Sequence, residues 1–300
     1  MSPVAVTGAA VALPGAAAPA ALLTAPDPSA EPVDPASLIG KKGLRFKDRA
    51  TRVGLHLAYA ALHDAGLLDG TELKAEGARI GVVVSSNLGN ADTVCKAVET
   101  IAKETTSGLS PMDTPNASSN IIASETAIRF GLGGPNLTVC NGATSGLDAL
   151  RWAALLLRSH RADHVLVIGV EPDNEVTRRL VDGPVADGGA ALVLSREGTG
   201  TARALLGPVL RTASPATTVD GLVAAAPDAG LWLTAESAES ALLPQGADVR
   251  TLDGWGELSG ARGVVQAAAA TGWFDEGHRA PAYALIGGTG LALTAPGQPR

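Results

Sequence analysis

Long apolar runs and helical periods alternate along this chain. Val4-Ala-Val-Thr-Gly8 predicts a short buried strand ending at a glycine turn. Ile80 to Ser85, His164 to Val170 and Gly189 to Leu194 are continuous apolar runs, the pattern of strands covered on both faces. Between them the period lengthens. Asp48 stands as an N-cap before a helix to about Ala65, with Val53, Leu57 and Ala61 on one face and Gly66 as its stop. His56 and His63 within it read as surface or boundary positions, since neither has a ligand partner at i+4. Asp92 to about Glu104 predicts another helix, with Val94, Val98 and Ile101 turned inward and Cys95 as a small core residue. Residues 111–120 read as a loop of small polar residues, and Ile121 to Phe130 as a helix stopped by Gly131. Leu137 to Cys140 then leads, through Gly142 and Gly146, into a helix from Leu147 to about Leu157.

The second half is patterned more faintly. Strands are expected at Leu205 to Leu210, Gly230 to Thr234 and Ala282 to Ile286, with Leu291 to Leu293 pairing with the last. Helices are expected from Glu236 to Leu243 and from Gly260 to Thr271. Residues 14–35, rich in Pro and Ala, predict a long irregular loop. The alternation of strands and helices predicts an α/β layered fold.

Composition narrows the function classes. The net charge of −7, with acids and bases interleaved, argues against nucleic acid or an anionic membrane as the main partner. Lys41, Lys42, Arg45, Lys47 and Arg49 form the only dense basic cluster, read as a solvated loop before a docking site. No apolar run is long enough to span a bilayer. The Ala-rich start has no positive charge before Lys41, unlike a signal peptide. Two distant cysteines, Cys95 and Cys140, imply neither a metal site nor a disulfide, and a reducing cytoplasm suits them.

The stretch from Thr138 to Leu150 carries the candidate chemistry. A strand that turns sharply into a helix through glycines and tiny side chains presents a nucleophile in many enzymes. Here the centre of the turn is Ala143. Gly142-Ala-Thr-Ser-Gly146 is one substitution from a Gly-x-Ser-x-Gly elbow, so Thr144 or Ser145 is an alternative nucleophile for a hydrolase or acyltransferase. That reading needs a histidine base, and His160, His164 and His278 are poorly placed for it. Otherwise both hydroxyls cap the helix.

Lys47-Asp-Arg-Ala-Thr51, Ser110-Pro111, Pro115-Asn116, the run Ala127 to Thr138, Ala143-Thr-Ser-Gly146 and Gly287-Gly-Thr-Gly290 together resemble the β-ketoacyl synthase family. The resemblance is strong to about residue 195 and patchy over the last hundred residues. It implies a thiolase-like fold: two βαβαβ-type halves, residues 1–200 and a shortened 201–300, in a five-layered α-β-α-β-α arrangement. It also implies a dimer whose interface strand is Leu137 to Cys140, and no cofactor or metal. Condensation in that family needs a cysteine thiolate and two histidine donors. By the resemblance those positions hold Ala143, Ala235 and Glu257, with Leu252 where a supporting lysine would stand. Alanine has no donor; an ionised glutamate repels an enolate, and only a protonated one would donate a hydrogen bond. Cys140, three residues before the turn, reads as a packed or interface cysteine.

The triple replacement resembles a chain-length factor of a type II polyketide synthase, a subunit that pairs with an active ketosynthase and acts on chains carried by acyl carrier protein. The chain departs from that subtype in having Ala143 where many carry glutamine, and in a trimmed middle. Thr114, Asn116, Asn120, Ile121, Ser124, Ile128 and Cys140 are then the expected tunnel and interface residues. A catalytically dead relic is the other alternative.

Overall fold

The computed structural model describes residues 3–297. Its first half contains β1 (Val4–Ala12), α1 (Arg49–Asp64), β2 (Ile80–Ser85), α2 (Ala91–Glu104), α3 (Ile121–Phe130), β3 (Asn136–Val139), α4 (Ser145–Arg158), β4 (His164–Glu171) and β5 (Gly188–Arg196). The second contains β6 (Ala204–Arg211), α5 (Pro215–Ala225), β7 (Leu231–Thr234), β8 (Asp248–Thr251), α6 (Arg262–Asp275), β9 (Ala282–Ile286) and β10 (Thr289–Thr294). No helix among the described residues is long and apolar enough to cross a membrane.

These ten strands form one sheet in the order β8-β7-β9-β10-β6-β1-β5-β4-β2-β3, and the short strands Leu68–Asp69 and Glu72–Leu73 pair separately. The order repeats. β2 runs parallel to β3 and β4, while β5 is antiparallel to both β4 and β1. β7 likewise runs parallel to β8 and β9, and β10 is antiparallel to β9 and β6. The two five-strand sets meet where Val4, Ala5 and Val6 pair with Leu206, Leu205 and Ala204.

Apolar side chains assign the layers. Leu147, Leu150 and Leu157 of α4 and Val264, Val265 and Ala268 of α6 share one core with Val6, Leu192, Leu233 and Leu291 from both five-strand sets. A second core packs Val53, Leu57 and Ile122 of α1 and α3 against Val82, Ile168 and Val193. A third packs Val219 and Leu222 of α5 on Trp232 and Tyr283, whose rings stack at 4.1 Å. The fold is therefore α-β-α-β-α and thiolase-like.

Several expectations need correction. β1 continues past Gly8 to Ala12, because its alanines are buried on both faces. His56 is buried rather than at a boundary, its Nδ1 3.4 Å from the Pro35 carbonyl, and burial pushes its pKa down. α2 buries no residue: Val94, Val98 and Ile101 face solvent, and so does Cys95. The segment expected as a helix from Glu236 is a 3-10 turn, Ser237–Leu242. α5, started by Ser214 accepting from the Thr217 N–H, and β8 were not anticipated.

The irregular segment after β1 packs as a strap. Pro19–Leu23 lies so close on α6 that a Cβ at Gly272 would meet the Ala20 nitrogen at 2.3 Å. Trp255 and Arg250 donate to the Leu22 and Leu23 carbonyls at 3.3 and 3.1 Å. Along edge strand β8, Asp248 and Arg250 pair with each other at 2.8 Å.

Candidate functional site

β3 ends at Val139, and the chain reverses through Gly142, whose φ of 67° lies in the left-handed region that glycine enters freely. Ala143 follows, exposed, one residue before the N-cap position Thr144 of α4. The hydroxyls beside it do not cap the helix as expected. Thr144 Oγ1 donates to Asp148 Oδ2 at 3.1 Å, which also accepts from Asn141 Nδ2 at 2.7 Å. Ser145 is buried; its Oγ accepts the Asn141 N–H at 2.5 Å and donates to Asn87 Oδ1 at 3.0 Å. Arg211, at the end of β6, lies 3.6 Å from Asp148.

The histidines are engaged elsewhere. His160 Nδ1 meets Arg196 at 2.7 Å beyond the far end of α4. His164 is buried against Ser195 Oγ at 2.7 Å, and burial depresses its pKa. His278 stacks on Trp273, His63 on Tyr59, and His56 faces Pro35. None of these contacts reaches Thr144 or Ser145, so no histidine partners either hydroxyl.

The wall behind the turn is organised by residues the sequence reading passed over. Asn87 Nδ2 donates to the Gly142 carbonyl at 3.0 Å and to Ser259 Oγ at 2.9 Å, tying the turn to the loop that carries Glu257. Glu171, fully buried at the end of β4, accepts at Oε1 from the Asn87 and Gly260 amides at 2.7 and 3.0 Å. Its Oε2 accepts from the Leu88 amide and the Ser86 hydroxyl at 2.9 and 3.1 Å. Burial pushes its pKa up to about 7, although the four donors pull the other way. Glu239 repeats the device in the second half. Its Oε2 accepts the Ala235 amide at 2.9 Å and its Oε1 the Gly287 amide at 2.7 Å. The sequence held one hint: Glu171 is a lone charge closing an apolar run.

Glu257 accepts the Ser259 amide at 2.6 Å and pairs with the buried Arg262 at 3.3 Å, which lies 3.5 Å from Asp253. Ala235 follows β7, half-buried, and Leu252 is buried. Of the other expected residues, Thr114, Asn120, Ile128 and Cys140 are exposed, and Ser124 is half-buried. Asn116 and Ile121 are buried within the chain, Asn116 donating to the Phe46 carbonyl. A cavity of about 540 Å³ opens between residues 45–52, α2 and residues 108–117. Arg45, Lys96 and Lys103 line it together with Asp92, Glu104 and Asp113, so neither sign prevails; Ala143, Ala235 and Glu257 do not line it.

Residues 29–180 match the family model for the β-ketoacyl synthase N-terminal domain. The chain belongs to the β-ketoacyl synthase family. It is 30% identical over 134 residues to 3-oxoacyl-[acyl-carrier-protein] synthase 2 of Vibrio cholerae, covering 44% of this chain and 31% of that one. It is 27% identical over 161 residues to the Coxiella burnetii protein of the same name, covering 53% and 36%. The matched stretch thus spans about a third of these relatives' length. Among solved structures it is similar to the ishigamide ketosynthase/chain length factor (TM-score 0.77, 21% identity, 98% of this chain and 99% of that one). It is also similar to a type II polyketide acyl-carrier protein complex with its ketosynthase (TM-score 0.78, 15% identity, 98% and 100%). A β-ketoacyl synthase from Burkholderia phymatum gives a TM-score of 0.70 at 16% identity, covering 98% of each chain.

Proposed function

We propose that this member of the β-ketoacyl synthase family is a non-condensing subunit, a chain-length factor. It pairs in the cytoplasm with a cysteine-bearing ketosynthase and shapes the tunnel for a chain delivered by acyl carrier protein. The feature that carries this reading is Ala143: the turn through Gly142 and the helix behind it are present, and the position that the resemblance assigns to the nucleophile holds a methyl group. Without a thiolate no acyl thioester forms. Ala235 offers no side-chain donor where an imidazole is needed. Glu257, engaged by Arg262 and the Ser259 amide, is a carboxylate where the resemblance calls for an imidazole donor, and negative charge near a developing enolate repels it.

Pairing is supported by β3, an unpaired edge strand. Pro135, just before it, and Val139 accept from the Val82 and Ser86 amides, so in this parallel ladder Asn136 and Thr138 turn their backbone groups away from β2. The buried Thr138 hydroxyl has no partner among the described residues. Ile128 on α3 and Trp152 and Leu155 on α4, the helices that pack against β3, are 76%, 48% and 52% exposed. Such an edge with apolar flanks suits a partner strand. Two of the similar structures are ketosynthase complexes, one with a chain length factor and one with an acyl-carrier protein.

Co-expression with the cysteine-bearing ketosynthases of the source genome, followed by size-exclusion chromatography, tests the reading. A 1:1 complex is expected, with chain elongation only in the complex. Elongation by the purified protein alone, from acyl- and malonyl-carrier protein, overturns it. A serine-directed probe that labels Thr144 or Ser145 supports the hydrolase instead.

A further inference from the structure

Arg262 is a cation in an unfavourable place. Among the described residues it is the only buried lysine or arginine. It is also the first residue of α6, so its charge stands at the positive end of that helix, whose first turn holds no acid. Gly146, in the first turn of α4, packs beside it on Gly263, which brings a second positive helix end to the same place. Asp148 in that turn is already engaged by Asn141, Thr144 and Arg211. A guanidinium keeps its proton, so buried here it needs an anion within reach. Glu257 Oε2 lies at 3.3 Å and Asp253 Oδ1 at 3.5 Å. Neither is a close grip; Arg49, by contrast, holds both oxygens of Asp187, at 3.1 and 2.7 Å. The arginine side chain is 9% exposed and its two partners 35% and 53%, so the cation is fixed in the wall and its anions reach in from outside.

We infer that Arg262 and the Ser259 amide form a binding site for a small carboxylate, and that Glu257 is its built-in occupant, a plug that keeps other carboxylates out. The two oxygens of Glu257 show what the site takes: Oε1 accepts the Ser259 amide at 2.6 Å while Oε2 faces the guanidinium. Two donors thus converge on one planar carboxylate. The main chain holds the plug in place independently of its side chain, because the Glu257 N–H donates to the Pro184 carbonyl at 2.7 Å and its carbonyl accepts the Ala186 N–H at 3.1 Å. Removing the carboxylate therefore leaves both donors facing a space of carboxylate size. That space adjoins the turn that carries Ala143, since Ser259 is tied through Asn87 to the Gly142 carbonyl. As built, the chain rejects an acyl group bearing a free carboxylate at this point: the cation is taken, and Glu257 and Asp253 repel a third negative charge.

Chemical rescue of the free chain tests this, and the pairing proposed above stands or falls separately. E257A is expected to melt several degrees below wild type in sodium chloride, because it leaves the buried cation short of an anion. Sodium formate at about 100 mM, compared with chloride at equal ionic strength, is expected to raise its melting temperature by about 2 °C or more, with saturation as a bound ligand gives. Wild type and D253N, in which Glu257 still fills the site, are expected to differ by less than about 0.5 °C between the two salts. R262M placed in the E257A background is expected to abolish the formate response. E257Q, whose amide oxygen still accepts from Ser259, covers the case in which E257A does not fold: formate must raise its melting temperature by about 1 °C or more, and no rise overturns the inference. E257A as stable as wild type in chloride, an equal response to chloride and formate, or a formate response in wild type matching that of E257A would each overturn it as well.

Discussion

Gly146 of α4 and Gly263 of α6 meet backbone to backbone at the centre of the molecule. A Cβ on Gly146 would stand 2.7 Å from the Gly263 nitrogen, and one on Gly263 would stand 2.5 Å from the Leu147 nitrogen. Each is the second residue of its helix, so the two central helices touch at matching points of the repeated topology. G263A is expected to force the helices apart and cost roughly 2–3 kcal/mol, measured as a lowered urea midpoint. A midpoint equal to wild type would mean that the crossing relaxes freely.

Glu171 makes stability depend on pH in a definite direction. Its pKa in the fold is about 7, above the ordinary 4.5, so the folded chain holds that proton more tightly than the unfolded one. The contribution is complete below about 4.5 and is lost as pH rises toward about 7. E171Q has no such titration, and its amide would also turn N–H groups toward amide donors. The variant is expected to be less stable by about 2–3 kcal/mol, with a larger deficit at pH 5 than at pH 8 by urea unfolding. An equal or reversed deficit would sink the assignment.

Thr138 isolates the role of the β3 edge. Its backbone N–H points away from β2, so T138P removes an outward donor without removing a ladder bond. Pairing with the ketosynthase should weaken by about tenfold while the free chain keeps its circular dichroism and loses no more than about 1 kcal/mol. Undiminished pairing places the partner on another surface.

A143C tests what the turn retains. A thiol there would stand exposed at the N-terminus of α4, where the helix dipole favours the thiolate. It is expected to react with iodoacetamide faster than Cys95 and to accept an acyl chain, yet to release no CO2 from malonyl-carrier protein, because Ala235 and Glu257 supply no donors. Decarboxylation by A143C alone would show that the donors come from other residues.

What the sequence revealed depended on where each signal is written. Asp48 was legible as a cap because its carboxylate bonds are local: Thr51 N and Oγ1 at 2.7 and 2.9 Å. The runs around Val83 and Val167 were legible because a strand buried on both faces needs an unbroken apolar series. α2 was legible as a helix but misread in direction, since periodicity shows that one face is apolar and not whether its own chain covers it. β8 lacked the series altogether, because an edge strand with Asp248 and Arg250 alternates in polarity. The turn was found from Gly142 and Gly146. Glu171 and Glu239 were not, because their partners are mainly main-chain amides, which every sequence contains, and Asn87 was not, because its side chain meets a carbonyl and hydroxyls more than fifty positions away; the nearest partner of Glu171 is 83 positions away.

The strap over α6 bears on how many chains an assembly holds. A ten-stranded sheet has two ends, and if both could accept a strand, chains would add one after another into a filament. At β8 the Asp248–Arg250 pair, and the anchoring of Arg250 on the Leu23 carbonyl, crowd the end with charge and with the chain's own segment. That leaves β3 as the open end, and in the proposed pairing a partner seated there would stop the assembly at two chains, a limit set as much by the closed end as by the open one.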